Sequence, residues 1–358
     1  MYEQDAYYSA VDWILALSHF TTFTITELGN RLGEWPMTAH NITTPGETVP
    51  QRPPADSTFK RIFIGPHGLR AGWRLLIFVL LMIGISGALG VVIRLFGGQA
   101  SFKGNLKQVT PFQLSMLEGV LLFYTAASAW VMSKIEGRKF GQYGLPWSQA
   151  LRQDFWVGLS WGFLATSGTV LAIFLLHGVR ITGPVIHGKT ILTSVIAWTL
   201  TFLLVGLSEE FSFRGYAQFT LTTGMGFWPS AFVLSVVFGL AHRVNSGENV
   251  FGELSVVLFG LLFCLFLRRT GNLWWAVGFH MGYDWGQTFF YGVPDSGQLP
   301  YHNFFSASFS GPNWLTGGTV GPEASIFCPI ALIIVGILFS RKYREVRYRP
   351  LSSSSSVS

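Results

Sequence analysis

Eight long apolar runs account for about half of this chain and restrict it to few architectures. They cover approximately residues 75–96, 112–132, 155–177, 190–222, 228–243, 250–267, 272–292 and 322–340. A helix needs about 20 apolar residues to cross a bilayer, so most runs are long enough, whereas the fifth and sixth are short. Because lipid cannot satisfy backbone hydrogen bonds, such spans fold as α-helices. The sequence therefore predicts an all-α, polytopic integral membrane helical bundle with about eight transmembrane helices.

The scarcity of charge excludes an ordinary water-soluble enzyme. Charged residues make up 12% of the chain and hydrophobic residues 49%, whereas soluble domains carry about 25% charged residues. The basic residues behind the net charge of +6 lie between the apolar runs. They are typical of topology determinants rather than of a nucleic-acid-binding surface. Cys264 and Cys328 both lie in apolar runs, which argues against a disulfide framework.

The chain divides into three parts. Residues 1–60 are expected to be a disordered or poorly ordered extension, because residues 37–60 are rich in Pro and Thr and lack apolar periodicity. A start at Met37 is a further hypothesis, which an intact-mass measurement would test. Residues 61–345 form the membrane-embedded domain, and residues 346–358 a flexible, serine-rich tail.

The distribution of basic residues predicts the orientation of the bundle. If both termini are cytoplasmic, sixteen Lys and Arg residues in the connections face the inside and five face the outside. This bias follows the positive-inside rule. Since no eukaryotic targeting signal is recognisable, we expect a bacterial plasma membrane.

Ionisable side chains within apolar runs are the first candidates for function, because each Asp, Lys or Arg there costs about 2.5–3.5 kcal/mol on insertion scales. The fourth run ends in LSEEFSFRGYAQF, the fifth leads into FGLAHRVN, and the seventh contains FHMGYDW. These segments contain Glu209, Glu210, Arg214, His242, His280 and Asp284.

Helical geometry separates the two adjacent glutamates. Successive residues of an α-helix point about 100° apart, so Glu209 and Glu210 cannot face one point. Glu210 and Arg214 are spaced i, i+4 with the acid first, the favourable order for an ion pair. Glu209 is then left unpaired and available as a base or a ligand.

Depth brings carboxylate and imidazole groups together. With a turn near residues 224–229, Glu210 and His242 lie at similar depths, about 20 Å from the turn at 1.5 Å per residue. His280 lies about 13 Å beyond Gly271 by the same rise, and Asp284 shares its helix face. Glu and His side chains can activate water directly or on a metal, which predicts peptide-bond hydrolysis within the membrane. The hydrolysis could use zinc, another divalent metal or no metal. If a metal binds, Glu209, His242 and His280 are its expected ligands.

Three motifs on three spans resemble those of a known family. They are EExxxR as EEFSFR, FxxxH as FGLAH, and HxxxN/D as HMGYD. Together they are similar to the CPBP family, the CAAX-processing and bacteriocin-processing intramembrane proteases also called Abi proteins. The motif core covers residues 190–292.

The resemblance implies a role for each residue. It implies catalytic roles for Glu209, His242, His280 and Asp284 and supporting roles for Glu210, Arg214, Phe238 and Asn245. Glu209 and His242 would activate the attacking water, and Glu210 with Arg214 would hold the helix. His280 and Asp284 would polarise the scissile carbonyl, although the family often has Asn at the last position, so Asp284 adds a charge or a ligand. Asn245 and the nearby Glu248 are expected to line the entrance.

The expected function is that of an intramembrane endopeptidase acting on a membrane-associated protein or peptide. Two alternatives stay open: a non-catalytic membrane scaffold or immunity protein of the same family, and an ion-coupled transporter. The transporter ranks last, because transporter folds often contain internal repeats and none is recognisable here.

Residues 183–190, GPVIHGKT, match the sequence pattern of a phosphate-binding loop, but they connect two spans and Pro184 removes an amide donor. We therefore expect neither nucleotide nor nucleic acid as a partner.

Overall fold

The computed structural model describes residues 62–65, 68–95, 108–245 and 247–350. The chain forms two units, residues 1–70 and residues 71–358. In the first unit, the two-residue strands β1, Ile64–Gly65, and β2, Gly68–Leu69, pair antiparallel. The predicted extension at residues 1–60 and the serine-rich end at residues 351–358 lie outside the described residues.

Helices dominate the second unit. They are α1 Ala71–Leu95, α2 Pro111–Ile135, α3 Gln153–Leu175, α4 Lys189–Arg214, α5 Tyr216–Met225, α6 Phe227–Ala241, α7 Val250–Thr270, α8 Trp274–Asp284, α9 Asn313–Thr316 and α10 Phe327–Lys342. A π-helical stretch, Trp285–Tyr291, continues α8. Each of the eight apolar runs coincides with helix, which confirms the predicted all-α fold of a polytopic membrane protein.

Among the described residues, six helical segments are long and apolar enough to cross a membrane. They are Ala71–Leu95, Pro111–Ile135, Gln153–Leu175, Lys189–Met225, Phe227–Val244 and Val250–Thr270. The last two predicted runs are helical but shorter. α8 changes to π-helix after Asp284, and α10 begins at Phe327 because Pro322 lies in a separate 3-10 turn, Pro322–Ala324.

A break at Gly215 separates α4 from α5, and Gly226 forms the turn into α6. A side chain at Gly215 would collide with the carbonyl oxygen of Phe211. Gly226 has a φ of 85°, which glycine adopts without steric cost. The chain therefore reverses where the sequence predicts a turn, and α6 runs back alongside the helix that contains the glutamates.

Glycines press α8 against α3. Side chains at Gly158 or Gly162 of α3 would collide with the backbone of α8, and side chains at Gly278 or Gly282 would collide with the backbone of α3. Small residues allow such close approach of membrane helices. All eleven residues of α8 are buried, so the helix containing His280 is fixed at the centre of the bundle.

Short strands form the connections between helices. β3, Gln108–Val109, pairs parallel with β5, Leu299–Pro300, and β4, Val179–Pro184, pairs antiparallel with β6, Phe305–Phe309. β4 leads into the GPVIHGKT segment, so strand, loop and helix do follow one another there. The strand belongs to a two-stranded antiparallel sheet, however, and not to the α/β unit of a phosphate-binding loop.

The beginning of the predicted C-terminal tail is packed. The backbone amides of Arg347 and Tyr348 both donate to the carbonyl of Arg268, each at 3.1 Å. The Tyr348 ring is 6% exposed and lies 4.8 Å from the rings of Phe219 and Phe227. Residues 346–350 are thus attached to the ends of α5, α6 and α7.

Candidate active site

The two glutamates of α4 have different surroundings, as helical geometry predicts. Glu210 is fully buried, and its Oε1 accepts hydrogen bonds from Arg214 Nη1 at 3.3 Å and His280 Nδ1 at 3.0 Å. The Glu209 side chain is 17% exposed, and its buried Oε2 has no hydrogen-bond partner among the described residues. Glu210 is therefore held in place, while Glu209 has an oxygen available for another group.

Arg214 lies in an aromatic environment. Its guanidinium is fully buried and lies 4.2 Å from the Phe238 ring centroid and 5.4 Å from that of Phe263. Cation–π contacts of this kind stabilise a desolvated guanidinium. The predicted ion pair with Glu210 is present, and Phe238 supports it from α6.

His242 presents its Nε2 to Glu209. Its Nδ1 lies 2.9 Å from the carbonyl oxygen of Phe238, which can only accept, so Nδ1 is the donor and the neutral ring has its lone pair on Nε2. This atom lies 4.0 Å from Glu209 Oε2. Two acceptors at that separation cannot bond each other, but one water at about 2.8 Å from each can bridge them. The geometry suits a shared water.

His280 lies among three carboxylates. Its Nδ1 faces Glu210, and its Nε2 lies 3.3 Å from Asp284 Oδ2 and 3.7 Å from Glu209 Oε2. The ring also stacks on Phe263 at 5.1 Å. With a proton on both nitrogens, His280 donates from Nδ1 to Glu210 and forms an ion pair with Asp284 through Nε2, which makes it a cationic group beside the Glu209 oxygen.

The comparison with known families bears on this arrangement. Residues 191–286 match the family model described as Rce1-like, type II CAAX prenyl endopeptidase. The match confirms the predicted family. A search of curated proteins finds no match to the chain. The matched segment contains all three motifs, so the surroundings of Glu209 are similar to those in a family of CAAX prenyl endopeptidases.

The side chains around Glu209 include suitable donors for a metal, but the donor atoms are widely spaced. Two imidazoles and one carboxylate resemble the ligands of catalytic zinc, which binds N and O atoms at about 2.0–2.2 Å. Tetrahedral geometry with those bonds places ligand atoms about 3.3 Å apart, whereas Glu209 Oε2 lies 4.0 Å from His242 Nε2 and 3.7 Å from His280 Nε2. The spacing fits a bridging water better than a tetrahedral ion.

Two acidic residues near the site, Asp295 and Glu323, were not predicted from the sequence. Carboxylate oxygens of Asp284, Asp295 and Glu323 lie within 4.8 Å of one another, a grouping that could also hold a metal ion. Asp295 accepts a hydrogen bond from Thr288 Oγ1 at 2.7 Å, and Glu323 accepts one from Ser296 Oγ at 2.8 Å. Residues 270–340 contain no Lys or Arg, and acids without nearby bases are the one signal that could have identified them.

Burial and like charge act together on this acidic group. Burial raises the pKa of Asp295 well above its ordinary value, and the carboxylates of Asp284 and Glu323 raise it further. Closely spaced carboxyls in a poorly solvated site share protons for this reason. The segment between α8 and α10 therefore places carboxylic acids close to Asp284.

The loop after His242 packs against the same segment. Asn245, half-buried, donates its backbone amide to the His242 carbonyl at 2.9 Å. Thr319 Oγ1 donates to the carbonyl of Gly247 at 3.0 Å. Burial raises the pKa of Glu248 to about 7 despite a hydrogen bond from the Asn249 amide. The two residues expected at the entrance thus lie where this loop meets the segment before α10.

Proposed function

We propose that this protein is an intramembrane endopeptidase that hydrolyses a peptide bond of a membrane-associated protein or peptide. One observation carries the proposal. A buried carboxylate oxygen of Glu209 has no hydrogen-bond partner among the described residues and lies within 4.0 Å of two imidazole Nε2 atoms. A buried acceptor without a hydrogen bond costs about 1–3 kcal/mol, and a hydrolase can offset this cost by holding a water there.

The reaction begins with water bridging Glu209 and the His242 Nε2. Glu209 takes a proton from this water while the water oxygen attacks the scissile carbonyl carbon. The carbonyl oxygen gains negative charge, which protonated His280, 3.7 Å from Glu209 Oε2, stabilises. Glu209 then returns the proton to the amide nitrogen, the C–N bond breaks, and a new carboxyl group and a new amine leave.

The supporting residues hold these groups in position. Glu210 and Arg214 fix the rotation of α4, and Phe238 orients His242 through its carbonyl. Asp284 keeps the His280 ring charged and oriented, because its carboxylate lies 3.3 Å from Nε2. Asn245 lines the entrance to the site. The contacts of these residues support the proposed supporting roles, and activity measurements on variants test them.

Zinc or another divalent metal is the alternative means of activating the water. Glu209, His242 and His280 would hold it, and the ion would supply a Lewis acid that lowers the pKa of a bound water. The spacing of these three residues favours the reaction without metal.

The membrane arrangement belongs to the same proposal. Both termini face the cytoplasm of a bacterial plasma membrane, supported by the excess of Lys and Arg in the connections on that side. The substrate is a protein or peptide in that bilayer, and the family favours one with a prenylated CAAX end.

The test compares membrane and secreted peptides, by mass spectrometry, from cells making wild type or Glu209→Gln at equal abundance. This substitution keeps the shape of the side chain and removes the base. We expect new peptide termini in wild type that vanish in the variant. Glu345→Gln, at an exposed carboxylate paired with Arg347, is the matched control and should keep them. Identical peptide sets from all three strains would refute proteolysis and favour the scaffold.

A further inference from the structure

Glu118 is a buried acid outside the segment that matches the family. It lies in α2 and is 6% exposed, although a carboxyl group in an apolar span is costly. Within the described residues, no Lys, Arg or His side chain lies within ion-pair distance of it. Its retention in α2 therefore calls for a different partner.

That partner is Ser208, the residue before Glu209. The Glu118 Oε2 and the Ser208 Oγ form a short hydrogen bond, and Ser208 is fully buried. The Ser208 Oγ also lies 3.1 Å from the carbonyl oxygen of Val205 in the preceding turn. The hydroxyl is thus engaged with α2 on one side and with its own helix on the other.

Glu209 is held by its neighbours in the chain rather than by its own Oε2. Ser208 is bonded to α2, Glu210 is bonded to Arg214 and His280, and the Glu209 Oε2 between them has no hydrogen-bond partner among the described residues. Because successive residues point about 100° apart, two anchored neighbours set the direction of the residue between them. The Glu210 anchor belongs to the EEFSFR motif, whereas the Ser208 anchor depends on Glu118.

We propose that Glu118 is a positioning residue for the hydrolysis, acting on Glu209 through its hydrogen bond to Ser208. The inference rests on the proposed function, because it assigns Glu209 the role of base. A misplacement of about 1 Å can lower a rate about 100-fold. Loss of the bond should therefore lower kcat while the substrate contacts, and hence KM, change little.

The same helix pair offers a matched control. Thr125 Oγ1 of α2 lies 3.2 Å from Ser212 Oγ of α4, in a second polar contact between these helices. Thr125→Val removes that hydrogen bond without touching Ser208. If Glu118 served the packing of α2 on α4 alone, breaking either contact would have the same effect on catalysis.

The experiment measures kcat and KM of the purified full chain in liposomes, with a fluorogenic farnesylated peptide ending in a CAAX sequence as the probe. We expect Glu118→Leu and Ser208→Ala each to lower kcat by about 10- to 100-fold, with KM within threefold of wild type. The double variant Glu118→Leu/Ser208→Ala should lower kcat no further than either single variant. Glu118→Gln should keep most of the activity, because its amide can still bond Ser208, and Thr125→Val should stay within twofold of wild type.

Several results would overturn the inference. Wild-type kcat in Glu118→Leu would show that the bond is dispensable, and equal losses in Thr125→Val would show a general packing effect. A loss in Glu118→Gln as large as in Glu118→Leu would show that ionisation and not hydrogen bonding matters. If Glu118→Leu does not fold, Ser208→Ala removes the same bond and decides the question. If wild type cleaves neither the probe nor cellular peptides in a way that depends on Glu209, the proposed function and this inference are both refuted. If cleavage depends on Glu209 but not on Glu118, the inference alone is refuted.

Discussion

Replacing Gly162 with alanine tests how the position of α8 depends on backbone contact with α3. A Cβ at residue 162 would collide with the carbonyl oxygen of Phe279 and would lie 2.8 Å from its carbonyl carbon and 2.9 Å from the backbone nitrogen of Tyr283. None of these atoms belongs to a flexible side chain, so the two helices must separate, by about 1 Å to restore ordinary contact. Overpacking of this kind costs about 1–3 kcal/mol, and the residue next to Phe279 is His280.

The expected effects are a loss of stability and a larger loss of catalysis. At about 2–4 °C per kcal/mol for a domain of this size, the apparent Tm of Gly162→Ala should fall by roughly 2–12 °C. Displacement of His280 from Glu209 should lower kcat by about 100-fold. Tryptophan fluorescence during heating of the detergent-solubilised protein measures the first effect, and the farnesylated probe measures the second.

Gly168→Ala is the matched control on the same helix. A Cβ at this position meets nothing within 4 Å, so the alanine should raise stability slightly through its better helix propensity. An unchanged Tm and kcat in Gly162→Ala, or equal losses in both variants, would refute the reasoning that backbone contact between α3 and α8 fixes the site.

Three further predictions concern charge and metal. Arg214→Met removes the cationic partner that Glu210 has on its own helix and leaves it only His280. It should lower the stability by about 3 kcal/mol, the lower end of the cost of breaking a buried ion pair, measured as a fall in Tm that the double variant Arg214→Met/Glu210→Gln partly restores. Glu248→Gln should stabilise the protein at pH 8 and have little effect at pH 5. Burial raises the pKa of Glu248 from its ordinary value of 4.5 to about 7, so ionisation of this group destabilises the folded state as the pH rises through that range. A difference in Tm between variant and wild type that does not grow with pH would contradict this. Removal of divalent metals with a chelator should leave cleavage of the farnesylated probe within twofold, whereas a loss restored by zinc would favour the metal-dependent reaction.

Much of the site follows from spacing along single helices. The i, i+4 positions of Glu210 and Arg214 predict their ion pair, and those of His280 and Asp284 predict one face of α8. The different surroundings of the two adjacent glutamates follow from the 100° rotation per residue. These features are local, so a single sequence contains enough information to predict them.

Other features depend on which elements meet in space. The sequence contains Glu118 and Glu323 without any sign of their partners, because Ser208 and Asp284 are distant from them along the chain. In the sequence alone Gly158 and Gly162 could equally be a chance pair of glycines, and their packing against α8 appears only when both helices are in place.

The sequence by itself determined the helical class, the positions of the helices and the composition of the site. Apolar length and the need to satisfy backbone hydrogen bonds within lipid leave an α-helix as the outcome for each run, whatever its neighbours. The tertiary structure decided which oxygen of which acid stays free. That depends on which groups the fold brings together: Arg214 of the same helix and His280 of α8 bond Glu210, and Ser208 bonds Glu118. Glu209 Oε2 lies near two imidazole nitrogens and has no hydrogen-bond partner among the described residues.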